Sequence, residues 1–207
     1  MAAKRQRGNT DTAARILDVA ERLVQRRGFN GFSYADVASE LGISKPSLHY
    51  HFAGKAELGE ALIRRYAGRF AEALDEIDRS GGGAPGKLDA YTQLYADVLR
   101  EKRMCLCGML AADYDTLPKP MRNAVIRFFD ENEAWLTGVL EQGAEEGSLR
   151  LGGSASEAAQ AIVGGLEGAM LIARPYGDVS RFQAAADRLL RSLANASPPG
   201  ASPSRAS

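Results

Sequence analysis

Apolar side chains return along this chain at intervals of three and four residues, the repeat of helices that bury one face. Over residues 12–27, Ile16, Leu17, Ala20, Leu23 and Val24 form such a stripe, and Gly28 stands where a helix closes with a left-handed residue. Ser33 followed by Asp36 has the spacing of a capping box and opens a short helix to Leu41. Gly42, Ile43 and Ser44 make a turn. Ser44 caps a helix over 45–52, where Pro46 is tolerated because first-turn N–H groups have no helical partner to lose. A long helix follows over 55–79 with Leu58, Leu62, Tyr66, Phe70, Leu74 and Ile77 on its apolar face, and SGGGAPG at 80–86 reads as a linker.

Beyond the linker the pattern predicts helices over 87–103, marked by Leu88, Tyr91, Leu94, Tyr95 and Val98, and over 121–146, marked by Val125, Phe128, Phe129, Leu136, Val139 and Leu140. A shorter apolar piece, 104–114, lies between them and ends at the Leu-Pro-Lys-Pro break of 117–120. Ser154 with Glu157 is a second capping box, opening a helix to Ala173 that Pro175 and Gly177 stop. A last helix is predicted over 179–195, and residues 196–207, ending in SPPGASPSRAS, have nothing to bury and are expected to form a disordered tail. No stretch alternates over a strand length, and Ala and Leu number 56 against 20 for Val, Ile and Thr. The expectation is an all-α chain of about nine helices, with a three-helix unit over 1–54 and a helical body over 55–195.

Charge adds a direction to this plan. The 26 basic and 26 acidic residues cancel, but residues 1–55 hold nine Lys/Arg against five Asp/Glu, a net of +4, and residues 56–207 hold seventeen against twenty-one, a net of −4. Only the first part is therefore expected to meet nucleic acid. No run of apolar residues is long enough for a transmembrane helix, MAAKRQRGNT lacks the apolar core of a secretory signal, and two cysteines, Cys105 and Cys107, are too few and too close for a disulfide framework. A reduced, cytoplasmic setting without membrane contact is expected.

The span 34–52 carries the chemistry. Two short helices that cross closely need a small residue at the crossing and a turn residue comfortable at positive φ; Ala38 and Gly42 supply them. Val37, Leu41, Ile43, Leu48 and Phe52 form the apolar set that locks the pair. With Leu48 and Phe52 facing inward, Pro46 and Tyr50 point outward, flanked by Ser47 and His49. These four, with Lys45 at the helix start, are the candidates for base edges and nearby phosphates: Pro46 and Ser47 toward a thymine methyl, His49 donating to a guanine, Tyr50 on a phosphate. Ser33 and Lys55, at the starts of their helices, suit backbone positioning. His49 and His51 lie about 200° apart on a helix and cannot share an ion. No phosphate-cradling glycine loop, metal-spaced ligand set or nucleophile elbow is present, so neither metal, cofactor nor catalytic residue is expected.

The stretch RILDVAERLVQRRGFNGFSYADVASELGISKPSLHYHFAGKAEL, residues 15–58, resembles the TetR family of transcriptional repressors through its Phe-Ser, Val-Ala, Leu-Gly-Ile-Ser, Leu-x-Tyr-His-Phe and Lys-x-x-Leu elements. It departs at His49, where the family usually has tyrosine, and at Pro46, where glycine or alanine is commoner. The resemblance implies a helix-turn-helix DNA-binding domain over 1–54, an effector-binding and dimerisation domain over 55–195, and a homodimer on double-stranded, palindromic operator DNA released by a small-molecule effector.

Tyr66, Phe70, Tyr91, Tyr95, Cys105, Met109, Tyr114, Phe128, Phe129 and Trp135 are the side chains available to line an effector pocket. The last two helices read as the dimer face, through Ile162, Leu166, Met170, Phe182, Leu189, Leu190 and Leu193, with Gly164, Gly165 and Gly168 allowing close approach. MCLCGMLAAD also resembles the segment that carries the sensor cysteine in electrophile-responsive members of the family. Lys102 and Arg103 are expected to lower the thiol pKa of Cys105 and make it reactive to alkylation or oxidation. The competing classes are a thiol-dependent enzyme or a helical adaptor using Cys105 and Cys107. The first has its only histidines far from both thiols, and the second leaves the outward edge of 45–51 unexplained.

Overall fold

In the computed structural model, which describes residues 2–193 with side chains from residue 11 onward, nine α-helices carry the chain and no strand occurs among the described residues. The N-terminal unit is α1 (Ala2–Arg27), α2 (Tyr34–Leu41) and α3 (Lys45–His51). The body is α4 (Lys55–Arg79), α5 (Ala84–Arg100), α6 (Leu106–Ala112), α7 (Lys119–Glu145), α8 (Ala155–Ala173) and α9 (Val179–Arg191). Single 3-10 turns lie at Tyr114–Thr116 and Arg174–Tyr176. The expected tail over 196–207 lies outside the described residues.

Local signals explain most boundaries. Both capping boxes form: Ser33 and Ser154 accept from the N–H three residues on, while Asp36 and Glu157 reach back to the cap N–H. Gly28 (φ 79°) and Gly42 (φ 66°) take the left-handed conformation that ends α1 and α2. Three helices start earlier than expected. Helix α1 begins ten residues earlier than its apolar stripe, because polar turns add no periodic signal. The 80–86 linker shrinks to 80–83: Pro85 sits in the first turn of α5, where proline is harmless, and Ala84 is buried against the Gly143 turn of α7. Likewise α7 starts inside the 117–120 break, with Pro118 as its cap and Pro120 in its first turn.

One contiguous core runs through the molecule. The N-terminal unit is joined to the body by a buried carboxylate, Glu21 of α1, which pairs with Arg65 at 2.9 Å and with Arg69, both on α4; Arg65 also reaches Asp18 at 2.9 Å. At the other end α8 packs on α7 and α9. This packing corrects the expected dimer face. Ile162, Leu166, Met170 and Phe182 are buried in the chain's own core and cannot meet a partner, because α7 and α9 already cover that side of α8. Leu189, Leu190 and Leu193 are half-buried against the same core. The close approach at Gly165 is to Leu189 of α9, whereas Gly164 and Gly168 face open space. What α8 exposes is Leu171 (58%) and Ile172 (64%).

Candidate functional site

Helix α3 is held by its inner side and open on its outer one. Leu48 is fully buried and Ser44 caps the helix, its hydroxyl accepting from the Ser47 N–H at 3.3 Å. Lys45, Pro46, His49 and Tyr50 are exposed, Tyr50 by 77%, and Ser47 is half-buried beside them. The five predicted residues of this edge therefore share one solvent-facing surface.

Two of the predicted contacts are altered by local bonding. His49 Nδ1 lies 3.1 Å from the Ala53 carbonyl, which can only accept, so Nδ1 carries the proton. In neutral His49 the free Nε2 is then an acceptor, suited to an exocyclic amine of adenine or cytosine rather than to the acceptor atoms of guanine. Tyr34 completes this mount: its ring packs on His49 at 4.8 Å between centroids and its hydroxyl donates to the Phe52 carbonyl at 3.0 Å. Burial, with Glu57 second, pushes the Tyr34 hydroxyl up to about 12, so it stays a donor. Sequence reasoning passed over Tyr34 because it opens α2 rather than lying on α3.

Lys55 is the other correction. Its ammonium donates to the carbonyls of Phe29 and Phe32 at 2.5 and 2.6 Å and lies over both rings, 4.6 and 4.3 Å from their centroids. Burial draws its pKa down. With two of its three N–H donors on the loop between α1 and α2, it clamps that loop in place of the backbone phosphate expected for it. Ser33 keeps its cap role, its hydroxyl donating to Asp36 at 2.6 Å.

The body brings together most of the predicted pocket residues, ring on ring. Phe70 and Phe128 lie 5.2 Å apart, Tyr66 and Phe128 5.6 Å, Tyr91 stacks on Trp135 at 5.6 Å, and Phe129 meets Phe128 at 5.4 Å. Inside them Tyr91 bonds Tyr95 at 3.0 Å and Asn132 at 3.2 Å. Met109 and Tyr114 stand apart, the first at Arg174 and the second beneath the Arg122 guanidinium. A groove of about 490 Å³ opens between α4 and α7, lined by Ile63, Ala67, Ala124 and Phe128 and by the charged Glu60, Arg64, Arg127 and Glu131; of the predicted set it holds only Phe128.

Cys105 caps α6 and touches this aromatic core, Tyr66 donating to its sulfur at 3.6 Å while the Sγ accepts from Gly108 N–H. The expectation of a lowered thiol pKa is overturned. Burial, then Glu167 and Cys107, push the Cys105 thiol well up, and burial and Glu167 do the same to Cys107. The chain turns at Lys102, at a positive φ of 56°, Arg103 bonds Gln25 and Glu101, and neither cation acts on the thiol. Glu167 of α8 does, and no sequence pattern marked it. Both ends of α6 reach the N-terminal unit: Asp113, just after it, accepts the Phe29 N–H at 2.7 Å, and Met104, just before it, donates to the Gln25 carbonyl at 3.2 Å.

A helix pair with one face in the core and a polar edge in solvent, mounted on a helical body, defines a helix-turn-helix DNA-binding regulator. Residues 16–62 match bacterial regulatory proteins of the tetR family and residues 84–189 match the tetracyclin repressor-like C-terminal domain. This chain belongs to the TetR family of transcriptional regulators, which are not enzymes. It is similar to the HTH-type transcriptional repressor NemR of Escherichia coli K12, 27% identical over 156 residues that span 73% of this chain and 78% of that one. Among solved structures it is similar to a TetR-family regulator from Agrobacterium tumefaciens, at 31% identity and a TM-score of 0.87 over 90% of this chain and 100% of the other. It is also similar to the reduced form of E. coli NemR, at 27% identity and a TM-score of 0.77 over 88% and 97%. No helix among the described residues is long and apolar enough to cross a membrane, and no group of metal-ligating side chains occurs among them.

Proposed function

We propose that this protein is a cytoplasmic, homodimeric repressor that holds a palindromic operator through Lys45, Pro46, Ser47, His49 and Tyr50 and releases it when an effector, electrophilic or aromatic, acts on the core around Cys105. The observation that carries the reading is the exposed edge of α3. Tyr50 projects an almost free ring from a helix whose other side is fully packed, an arrangement of no use to the fold itself. Dimer formation is supported by α8, where Leu171, Ile172, Gly164 and Gly168 share an uncovered face. A two-fold pair sets its recognition helices about 34–36 Å apart, one turn of DNA.

Release follows from how α6 is tied at both ends. It starts at Cys105 in the core and finishes at Asp113, whose carboxylate holds the loop that Lys55 clamps from the other side. A ligand or adduct that displaces α6 pulls on that loop and, through α4, on the spacing of the two reading edges. The coupling such devices reach, about 1–3 kcal/mol, lowers operator affinity roughly 5- to 150-fold. The NemR structure to which the chain is similar is of a reduced form, which fits a thiol in the sensing role.

The test is a mobility shift with DNA flanking the gene. Specific binding weakens steeply with added salt, as phosphate contacts require, and Tyr50→Ala abolishes it while leaving the melting temperature unchanged. Undiminished binding by Tyr50→Ala refutes the assignment of this edge.

A further inference from the structure

We infer that Glu167 is the proton acceptor that makes Cys105 reactive, so that this pair takes up α,β-unsaturated carbonyl compounds by adding the thiol across their carbon–carbon double bond. The inference deepens the reading of Cys105 as the sensing thiol and rests on it. Its basis is a carboxylate with capacity to spare. Glu167 Oε1 is shielded from solvent and has no hydrogen-bond partner among the described residues, which a purely structural buried acid avoids. The carboxyl group acts on the Cys105 thiol, whose sulfur accepts from the Gly108 N–H at 3.5 Å, so acid and thiol meet at residue 108. Position 108 is glycine, and a Cβ there would collide with the carboxylate, so the chain leaves this space for it.

The chemistry balances within the pair. The Cys105 sulfur attacks the β-carbon and forms the C–S bond while its proton passes to Glu167. The π electrons move onto the α-carbon and its carbonyl, and the proton returns from Glu167 to the α-carbon, leaving a neutral thioether and the original carboxylate. A base is needed because the thiol is held protonated by burial, with no cation beside it. Glu167 itself is pushed up to about 7 by burial, against the opposing pull of the Cys105 hydrogen bond. It faces Cys105 and Cys107 at α6, Tyr66 of α4 and Tyr91 and Tyr95 of α5. Among the described residues no charged group of α7 or α9 shifts it.

The experiment follows N-ethylmaleimide addition to Cys105 of the full chain by peptide mass spectrometry from pH 5.5 to 9. In the wild type the rate constant rises to a plateau with its midpoint near pH 7, where Glu167 becomes a base. Glu167→Gln lacks that midpoint, follows hydroxide concentration throughout, and reacts about a hundredfold more slowly at pH 7.5. Equal rates, or an unchanged midpoint in Glu167→Gln, overturn the proposal. Should that variant not fold, the wild-type profile still decides: a rate proportional to hydroxide, with no midpoint, excludes a carboxylate base. Failure of folded wild type to react at Cys105, when the denatured chain does, overturns both the proposal and the sensing role. A Glu167-dependent reaction that leaves operator binding intact supports the proposal and refutes only the sensing role.

Discussion

Replacing Glu167 by Gln tests the buried carboxyl by a second route, through stability. In the folded chain the group titrates at about 7 against an ordinary 4.5. Folding thus favours the protonated form, and the contribution is full below pH 4.5 and lost as the pH rises through 7. Above pH 7 the ionised carboxylate costs the folded state about 3 kcal/mol relative to its protonated form. Glutamine keeps the shape and an acceptor oxygen but never ionises. The stability advantage of Glu167→Gln over wild type is therefore smallest at pH 5 and grows by up to about 3 kcal/mol by pH 8. Urea unfolding followed by circular dichroism, at one fixed protein concentration from pH 5 to 8, measures it. Curves for the two proteins that run parallel across this range refute the reasoning, because a merely steric effect of the substitution carries no pH dependence.

Two further outcomes test the frame around the site. Lys55→Met keeps the aliphatic stem but leaves the Phe29 and Phe32 carbonyls without their charged donor, and is expected to lower the unfolding free energy by about 2–4 kcal/mol. A loss below about 0.5 kcal/mol would show that Lys55 is free for other work. Ile172→Glu puts a charge on the uncovered face of α8 and is expected to shift sedimentation from dimer to monomer while the helical signal is retained. An unshifted dimer would move the interface elsewhere.

What the sequence disclosed and what it hid divide along a physical line. Helix phases, both capping boxes and the outward set on α3 were legible because each depends on residues a few positions apart: the 100° step that buries Leu48 exposes Tyr50. The direction of a half-buried face was not. The stripe on α8 shows that Ile162, Leu166 and Met170 are buried, but whether α9 of the same chain or a second copy covers them depends on tertiary packing. Lys55 was misread for a related cause. Its position at a helix start near DNA is local, but the two carbonyls that claim its ammonium come from 23 and 26 residues away.

Cys105 is the sharpest case, because the local rule gave the opposite sign. Two basic residues two and three positions before a thiol argue for a low pKa, yet the chain turns at Lys102, and the group that acts on the sulfur is an acid 62 positions further on. That reversal changes the chemistry the site can perform. A thiol activated by cations would react as a standing thiolate at any neutral pH and would be spent on any oxidant. A protonated thiol beside a carboxylate of pKa about 7 reacts only when the base is ionised and a small electrophile has entered the core. Under the proposed function, coupling to DNA uses α6, the seven-residue helix capped by that cysteine and closed by Asp113 at the Phe29 loop. In the function proposed, an adduct at the N-cap of α6 displaces a segment whose C-cap, Asp113, holds the N-terminal unit, so that a chemical signal at this buried thiol has a mechanical consequence.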